Sequence, residues 1–283
     1  MNPLDEQSCK VISYYSKSAE NYDKDYDVPY FKELYNKITW RYIEPYLPEK
    51  GVVLDAGGGT GKWTIPIAES GLRVVLYDIS KEMLDVARRK IKERQLEDLV
   101  TFKEGDICEI DFPENHFDFV LAEGDPISYC SDPDKAVKEL ARVLKLGHFI
   151  AAGVDSLYST ARGALVRKGP EEALNVLIDR KFFSEAWGFN CWAFSPDDLR
   201  QLFERNGLGV VKIVGKTIAF VSKPETEPFL KDEVKARKLL DLELMLCEEP
   251  SIVGYGGHLH VVGKKRSVEP RVGLRVAIQE PVI

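Results

Sequence analysis

The chain has 283 residues, 44% hydrophobic and 30% charged, with a net charge of -7 and a pI near 5.4. That length suits one large α/β domain or two smaller ones, and the acidic balance argues against a large phosphate-binding surface, so nucleic acid is not the expected partner. No apolar run approaches the roughly 18 residues of a membrane span, and the opening MNPLDEQSCK is polar and lacks an apolar signal segment. The expectation is a cytoplasmic protein without a membrane contact. Cys9, Cys108, Cys130, Cys191 and Cys247 are odd in number, scattered and without a Cys-x-x-Cys pair, which suggests neither a disulfide framework nor a metal site.

Residues 1–46 carry eight tyrosines, Tyr14, Tyr15, Tyr22, Tyr26, Tyr30, Tyr35, Tyr42 and Tyr46, on a spacing that predicts two helices. Residues 52–54 then read as a buried strand, 57–61 as a glycine turn and 62 onward as a helix start. Glycine there permits positive φ and close approach of a ligand. A Walker A loop needs glycine five residues before the Gly-Lys pair and a hydroxyl after it, where this chain has Ala56 and Trp63. A dinucleotide fingerprint needs glycine or alanine where Lys62 stands. The spacing that fits is acid-x-Gly-x-Gly-x-Gly, at Asp55, Gly57, Gly59 and Gly61.

The helix over about 60–70 contains Pro66 and is expected to be short or bent. Residues 73–77 form a second strand ending at Asp78, 21 residues after Gly57 and placed to accept from ribose hydroxyls. The alternative is that Asp78 only caps the helix opening at Ser80, whose stripe is Met83, Leu84, Ala87 and Ile91. A third strand over 100–103 leads to Gly105-Asp106-Ile107, and a fourth over 117–122 to the loop EGDPISYCSDPDK and a helix capped by Asp132. Strand five is expected at 149–154, a helix at 170–180, and another after the capping box at Ser195. A sixth strand region spans 210–214 and 217–221, interrupted by Gly215, with a helix over 231–247 and a last strand over 257–262.

Asp55, Gly57, Gly59 and Gly61, then Asp78, then Gly105-Asp106 resemble, in this order, the cofactor motifs of class I S-adenosylmethionine-dependent methyltransferases of small-molecule type. The likeness covers about residues 45–155 closely and extends loosely to 264. The segment YYSKSAENYDKDYD is similar to that family's leader, and VLKLG to its VLKPGG turn, with Leu146 and His148 departing. The resemblance implies an α/β, three-layer Rossmann-like sandwich with a mostly parallel seven-stranded sheet, its last strand antiparallel beside the fifth. It implies a helical lid over 1–46, a methyltransferase domain over 47–264 with a substrate-covering insertion at about 155–192, and a tail over 265–283. S-adenosyl-L-methionine, with S-adenosyl-L-homocysteine as product, would then meet Asp55, Gly57, Gly59, Gly61, Asp78, Ile79, Asp106, Ile107, Glu123 and Tyr22. Ile79 and Ile107 would sandwich the adenine while Asp106 accepts from its amine.

If that sheet carries over, one rim holds Glu123, Gly124, Asp125 and Ser128, then Asp155 and Ser156, then Tyr255, Gly256, Gly257 and His258. Methyl transfer is an in-line displacement that depends on aligning a nucleophile about 3–3.5 Å from the methyl group. It requires no metal, and a nearby base helps. The catalytic candidates are His258, Glu123 and Asp125, with His260 deeper on the same face. Asp125-Pro126 is followed by Ile127 and Ser128, so the Asn/Asp-Pro-Pro-aromatic motif of nucleic-acid and protein amino-methyltransferases is not met. Tyr14, Trp187, Trp192 and Tyr255 are the substrate-binding candidates. Of Trp187, Phe189, Trp192 and Phe194, half are expected in the core and half in the pocket. With Glu123, Asp125 and the leader tyrosines these aromatics would form an apolar, electronegative chamber suited to an aromatic or cationic amine, whereas Arg162, Arg167 and Lys168 could receive a carboxylate, so the acceptor's charge stays open. The expected function is methyl transfer to nitrogen or oxygen of a small molecule; the alternatives are a nonenzymatic cofactor-binding protein and, with less support, an NAD-dependent enzyme.

Overall fold

A computed structural model describes residues 5–219 and 223–266. Its strands are β1 (Val52–Ala56), β2 (Arg73–Asp78), β3 (Val100–Glu104), β4 (Phe117–Ala122), β5 (Leu144–Asp155), β6 (Lys181–Ser184), β7 (Phe189–Trp192), β8 (Leu208–Lys216) and β9 (His258–Lys265). Helices α1 (Glu6–Ser18), α2 (Tyr22–Asp25) and α3 (Asn36–Ile43) precede β1, with a π-helical turn over Tyr30–Tyr35. Helices α4 (Thr64–Glu69) and α5 (Lys81–Glu93) follow β1 and β2, while α6 (Pro126–Tyr129) and α7 (Pro133–Val143) link β4 to β5. After β5 come α8 (Leu157–Lys168) and α9 (Pro170–Asp179), ahead of the β6–β7 hairpin. Then α10 (Pro196–Arg205) leads into β8, and α11 (Lys223–Leu230) and α12 (Glu233–Leu246) separate β8 from β9.

Seven strands form one sheet in the order β3-β2-β1-β4-β5-β9-β8. β1 to β5 pair in parallel, and β9 runs antiparallel to both β5 and β8. Successive side chains of a strand face opposite layers. Leu54 and Ala56 pack with Ala136 and Leu140 of α7 and Leu199 and Phe203 of α10. Val53 and Phe119 pack on the other side with Ile65 and Ile67 of α4 and Leu84, Ala87 and Ile91 of α5. Coverage of both faces is why the central strands read as continuous apolar runs.

Several boundaries differ from the sequence expectation. The leader holds more than two helices, because a π-helical turn separates α2 from α3. Helix α4 has six residues and carries Pro66 in its first turn, where a backbone N–H has no helical partner to lose. β5 begins at Leu144 rather than 149, with its pairing to β4 shifting between Phe117 and Phe119. Gly215 does not interrupt β8; a Cβ there would lie 2.2 Å from the Val253 carbonyl oxygen, so glycine serves close approach of the turn Val253–Tyr255. The strand instead stops at Thr217, which has a φ of 60°, and part of the expected 217–221 segment lies outside the described residues. The last strand reaches Lys265, while the rest of the expected tail, from 267, lies outside the described residues. Among the described residues no helix is long and apolar enough to cross a membrane.

Candidate active site

A cavity of about 480 Å³ opens at the carboxyl ends of β1, β2 and β4, together with Asp155 of β5 and His258 at the start of β9. The strand order reverses between β1 and β4, the place where open α/β sheets bind ligands. Residues of the leader, α8 and the hairpin region complete its walls.

One half is built by the turns after β1, β2 and β3. Gly57, Gly58 and Gly59 line it. Gly57 has a φ of 74°, and a Cβ on it would lie 2.6 Å from Pro126 Cβ. Asp78 is 8% exposed; its Oδ2 accepts from the Gly59 N–H at 2.8 Å and its Oδ1 from the Ser80 N–H at 2.8 Å. Each oxygen keeps a lone pair for the cavity. Burial pushes the Asp78 carboxyl up to about 6 against the pull of those backbone N–H groups. The cap of α5 is Ser80, whose hydroxyl accepts from the Met83 N–H at 3.3 Å. Ile79, Met83 and Ile107 supply apolar lining, as does Tyr22 with its ring. Asp106 accepts from the Cys108 N–H at 2.8 Å and from the Ser8 hydroxyl at 3.0 Å, fastening α1 to the rim.

Two expected cofactor residues stand behind this surface rather than on it. Asp55 is fully buried and accepts from the Thr64 hydroxyl at 2.6 Å, which holds the start of α4 against β1. Burial raises its carboxyl to about 7 despite that bond. Gly61 packs toward Leu76 and Ala87. Neither lines the cavity.

The other half holds the catalytic candidates. Glu123 lines the cavity, but its buried carboxylate is paired with Lys216, whose Nζ lies 3.0 Å from Oε2, and with His260, which meets the other oxygen. Burial alone would raise its carboxyl, but Lys216 and His260 outweigh that and bring it to about 2. A carboxylate so committed is a poor proton acceptor near neutrality. Of the three catalytic candidates, Glu123 is thus the one whose charge is already neutralised by neighbouring side chains. Asp125, by contrast, takes a left-handed conformation with φ 67°, an uncommon one for a non-glycine residue and a mark of many functional sites. Its Oδ2 lies 3.1 Å from His258 Nδ1, and Asp155 Oδ1 lies 3.8 Å from the same nitrogen. Pairing of Asp155 with His258 in the β5–β9 register explains their proximity. Burial lowers the His258 pKa, but Asp125 and Asp155 outweigh it and hold it above the ordinary value. Burial and Asp125 push Asp155 up to about 7 against the pull of His258 and Lys216.

The structure brings Trp187 to the cavity but not Tyr14, Trp192 or Tyr255. Tyr14 packs behind the wall, its ring 5.1 Å from Tyr15 and 6.3 Å from Trp187. Trp192 carries Lys181 over its ring at 3.7 Å and lines a separate shallow groove with Phe183. Tyr255 is 56% exposed, with Arg162 5.9 Å away. Phe189 is fully buried and Phe194 nearly so. Arg167 faces the cavity, while Lys168 pairs with Glu185 at 3.0 Å.

Sequence patterning did not assign a site role to Lys62, Lys216, Tyr35 or Tyr129. Lys62 lines the cavity with Tyr26, Phe31, Tyr35 and Trp63 around its ammonium at 5.0–5.7 Å. Burial, reinforced by Lys216, lowers its pKa to about 8. Its place directly after the glycine turn was the one signal available. Lys216 had none, because alternation along β8 does not separate it from the more accessible Lys212.

Residues 53–147 match a family model described as a methyltransferase domain. The chain is 35% identical over 124 residues to the putative methyltransferase YqeM of Bacillus subtilis, covering 43% of this chain and 49% of that protein. It is 37% identical over 103 residues to the ubiquinone/menaquinone biosynthesis C-methyltransferase UbiE of Vibrio cholerae, covering 34% and 37% respectively. It therefore spans half or less of the length of these two curated relatives. A solved structure from Thermotoga maritima, described as a methyltransferase and possible histamine N-methyltransferase, superposes with a TM-score of 0.59 at 19% identity, covering 90% of this chain and 100% of that one; this likeness speaks for the fold. The family match falls on the strands and turns that build the glycine-lined half of the cavity, and these sit in a Rossmann-like sheet of the kind seen in solved methyltransferase structures.

Proposed function

We propose that the chain binds S-adenosylmethionine in the half lined by Gly57, Gly58, Gly59, Asp78 and Asp106, and methylates a small molecule held in the other half. The observation that carries this is one cavity joining a turn lined by Gly57, Gly58 and Gly59 to an aromatic chamber with Asp125, Asp155 and His258. Asp78 retains acceptor capacity for ribose hydroxyls, Ile79 and Ile107 offer apolar faces, and the volume suits a small-ligand site. When bound, the cosubstrate supplies a methyl group on a sulfonium, open to in-line displacement. The chain's own residues orient the two reactants and exclude water, the leader over 1–46 acting as a lid and the insertion over about 155–192 contributing Arg167, Phe182 and Trp187. Enclosure on this scale and the acidic surface favour a small acceptor over a polymer.

Calorimetric titration of the full chain with S-adenosylhomocysteine, followed by transfer of a radiolabelled methyl group into a metabolite extract, tests the proposal. Binding and a labelled small product are expected. A folded sample that binds neither cosubstrate nor product would refute it, and binding with no labelled product would leave a cofactor-binding protein without transferase activity.

A further inference from the structure

Beyond the cofactor half, the cavity ends in three side chains from separate elements: Asp125 from the turn after β4, Asp155 from the end of β5 and His258 from the start of β9. Asp125 is 4% and Asp155 8% exposed. Asp125 Oδ1 and Asp155 Oδ2 have no hydrogen-bond partner among the described residues. Buried acceptors without donors are costly, and more so when charged. Here both side chains line the cavity, so a ligand rich in N–H donors would relieve them.

The surroundings select the charge of that ligand. Tyr15, Tyr22, Tyr26, Tyr35 and Tyr129 line the same cavity, and the negative charge of Asp125 is felt by all five phenols. Ring faces attract cations, and this wall already accepts one: Lys62 Nζ lies 5.0 Å from the Tyr26 ring and 5.7 Å from the Tyr35 ring. An alcohol would bring one donor and no charge, and a carboxylate would be repelled by Asp125 and Asp155. An ammonium brings up to three donors and a charge that both the carboxylates and the rings attract.

We propose that, in the methyl transfer inferred above, the acceptor is a small amine, taken up as its ammonium between Asp125 and Asp155 and relieved of one proton by the Asp155–His258 pair. This rests on the transferase reading. The ammonium gives an N–H proton to that pair, and the freed lone pair forms the C–N bond as the sulfur–methyl bond breaks. The electron pair of the broken bond stays on sulfur, leaving a neutral thioether and an N-methylammonium product. Burial and Asp125 place the Asp155 carboxyl near neutrality, where a group can accept a proton and give it up again. The ionisable groups around the pair are Asp125, Lys216 of β8, Tyr35 of the leader, Tyr129 of α6 and Cys191 of β7.

The test is calorimetry on the full chain saturated with S-adenosylhomocysteine, titrated near neutral pH with phenethylamine, with phenethyl alcohol and with Mn²⁺. The amine is expected to bind at least about tenfold more tightly than the alcohol, since a charge-assisted bond replaces a neutral one. Asp125→Asn and Asp155→Asn should each reduce that preference to about threefold or less, with S-adenosylhomocysteine affinity held within about twofold as the sign of an intact fold. Equal binding of amine and alcohol, or an undiminished preference in both variants, would overturn the proposal. So would Mn²⁺ binding more tightly than the amine and being lost in Asp155→Asn, which would give these carboxylates to a divalent cation. Failure of S-adenosylhomocysteine to bind removes the transferase reading and this inference together; its binding without amine preference removes only the inference.

Discussion

Glu123 and Asp125 lie two positions apart, yet their neighbours give them opposite character. Glu123 meets a buried ammonium and an imidazole, whereas Asp125 faces the cavity with one oxygen unpartnered. Glu123→Gln leaves Lys216 without its counter-charge and should cost about 3–5 kcal/mol in a denaturant titration. The sign of the pH effect follows from a folded pKa of about 2 against an ordinary 4.5. Its stabilisation is present above about 4.5 and is lost as pH falls toward 2, so the variant should show a flatter stability profile across that acid window. Asp155 works in reverse: with a folded pKa near 7 against 3.8, it favours the fold at low pH and loses that contribution as pH rises through 7. Asp78→Ala should weaken S-adenosylhomocysteine binding by about 1.5–3 kcal/mol by calorimetry, as bonds to a charged acceptor disappear. Unchanged affinity in a folded variant would move the cofactor away from β2.

At the scale of elements, the β6–β7 hairpin decides which of its aromatics reach the cavity. Strand alternation buries Phe189 and Cys191 and turns Asn190 and Trp192 outward, while the turn between the strands delivers Trp187 to the cavity. Trp187→Ala should therefore lower kcat/KM for the acceptor by about tenfold or more through lost apolar contact, and Trp192→Ala should leave it within about twofold. Steady-state assays on both variants check this; the opposite ranking would place the acceptor against the shallow groove. The glycine turn carries a separate constraint, because the space a Cβ needs at Gly57 is filled by Pro126 of α6. Gly57→Val would thus disturb α6 and Asp125 as well as the approach of a ligand.

Across the whole molecule, the leader is joined to the sheet domain partly by polar contacts at its margin: Ser8 to Asp106 at 3.0 Å, Glu20 to Arg89 at 2.7 Å and Asp23 to Lys90 at 2.7 Å. Exposed ion pairs of this kind contribute about 0–1 kcal/mol each. The sheet core, by contrast, is closed on both faces by two large apolar clusters. Within the leader, α3 belongs to the core through Ile38 and Ile43, whereas α1 buries only Val11 among its apolar side chains and α2 none, so local opening of α1 and α2 costs less than opening the sheet. In hydrogen exchange, amides of α1 and α2 are expected to exchange well before those of β1 and β4, and to slow by about tenfold or more with S-adenosylhomocysteine bound. Equal protection with and without it would count against the lid.

What was legible in the sequence is what short-range geometry encodes. An apolar strand, a turn needing glycine and a capped helix form one local unit, so the spacing from Asp55 through Gly57 to Asp78 and Asp106 pointed to the turns that line one half of the cavity. Even there, only packing showed that Asp55 and Gly61 stand behind the surface while Asp78 and Gly59 face it. The half with Asp125, Asp155 and His258 depended on tertiary structure. His258 meets Asp155 because β9 inserts beside β5 in one register, and Lys216 reaches Glu123 through the same insertion beside β8. Those partners are far apart in the chain, and no local periodicity distinguishes a lysine that will be buried against a glutamate from one left in water. Sequence by itself therefore determined the fold class and the glycine-lined turns of the cavity, through backbone preferences acting over a few residues. Only the tertiary structure decided which carboxylates are neutralised and which stay available, because that depends on the charges and the degree of burial that distant strands bring together.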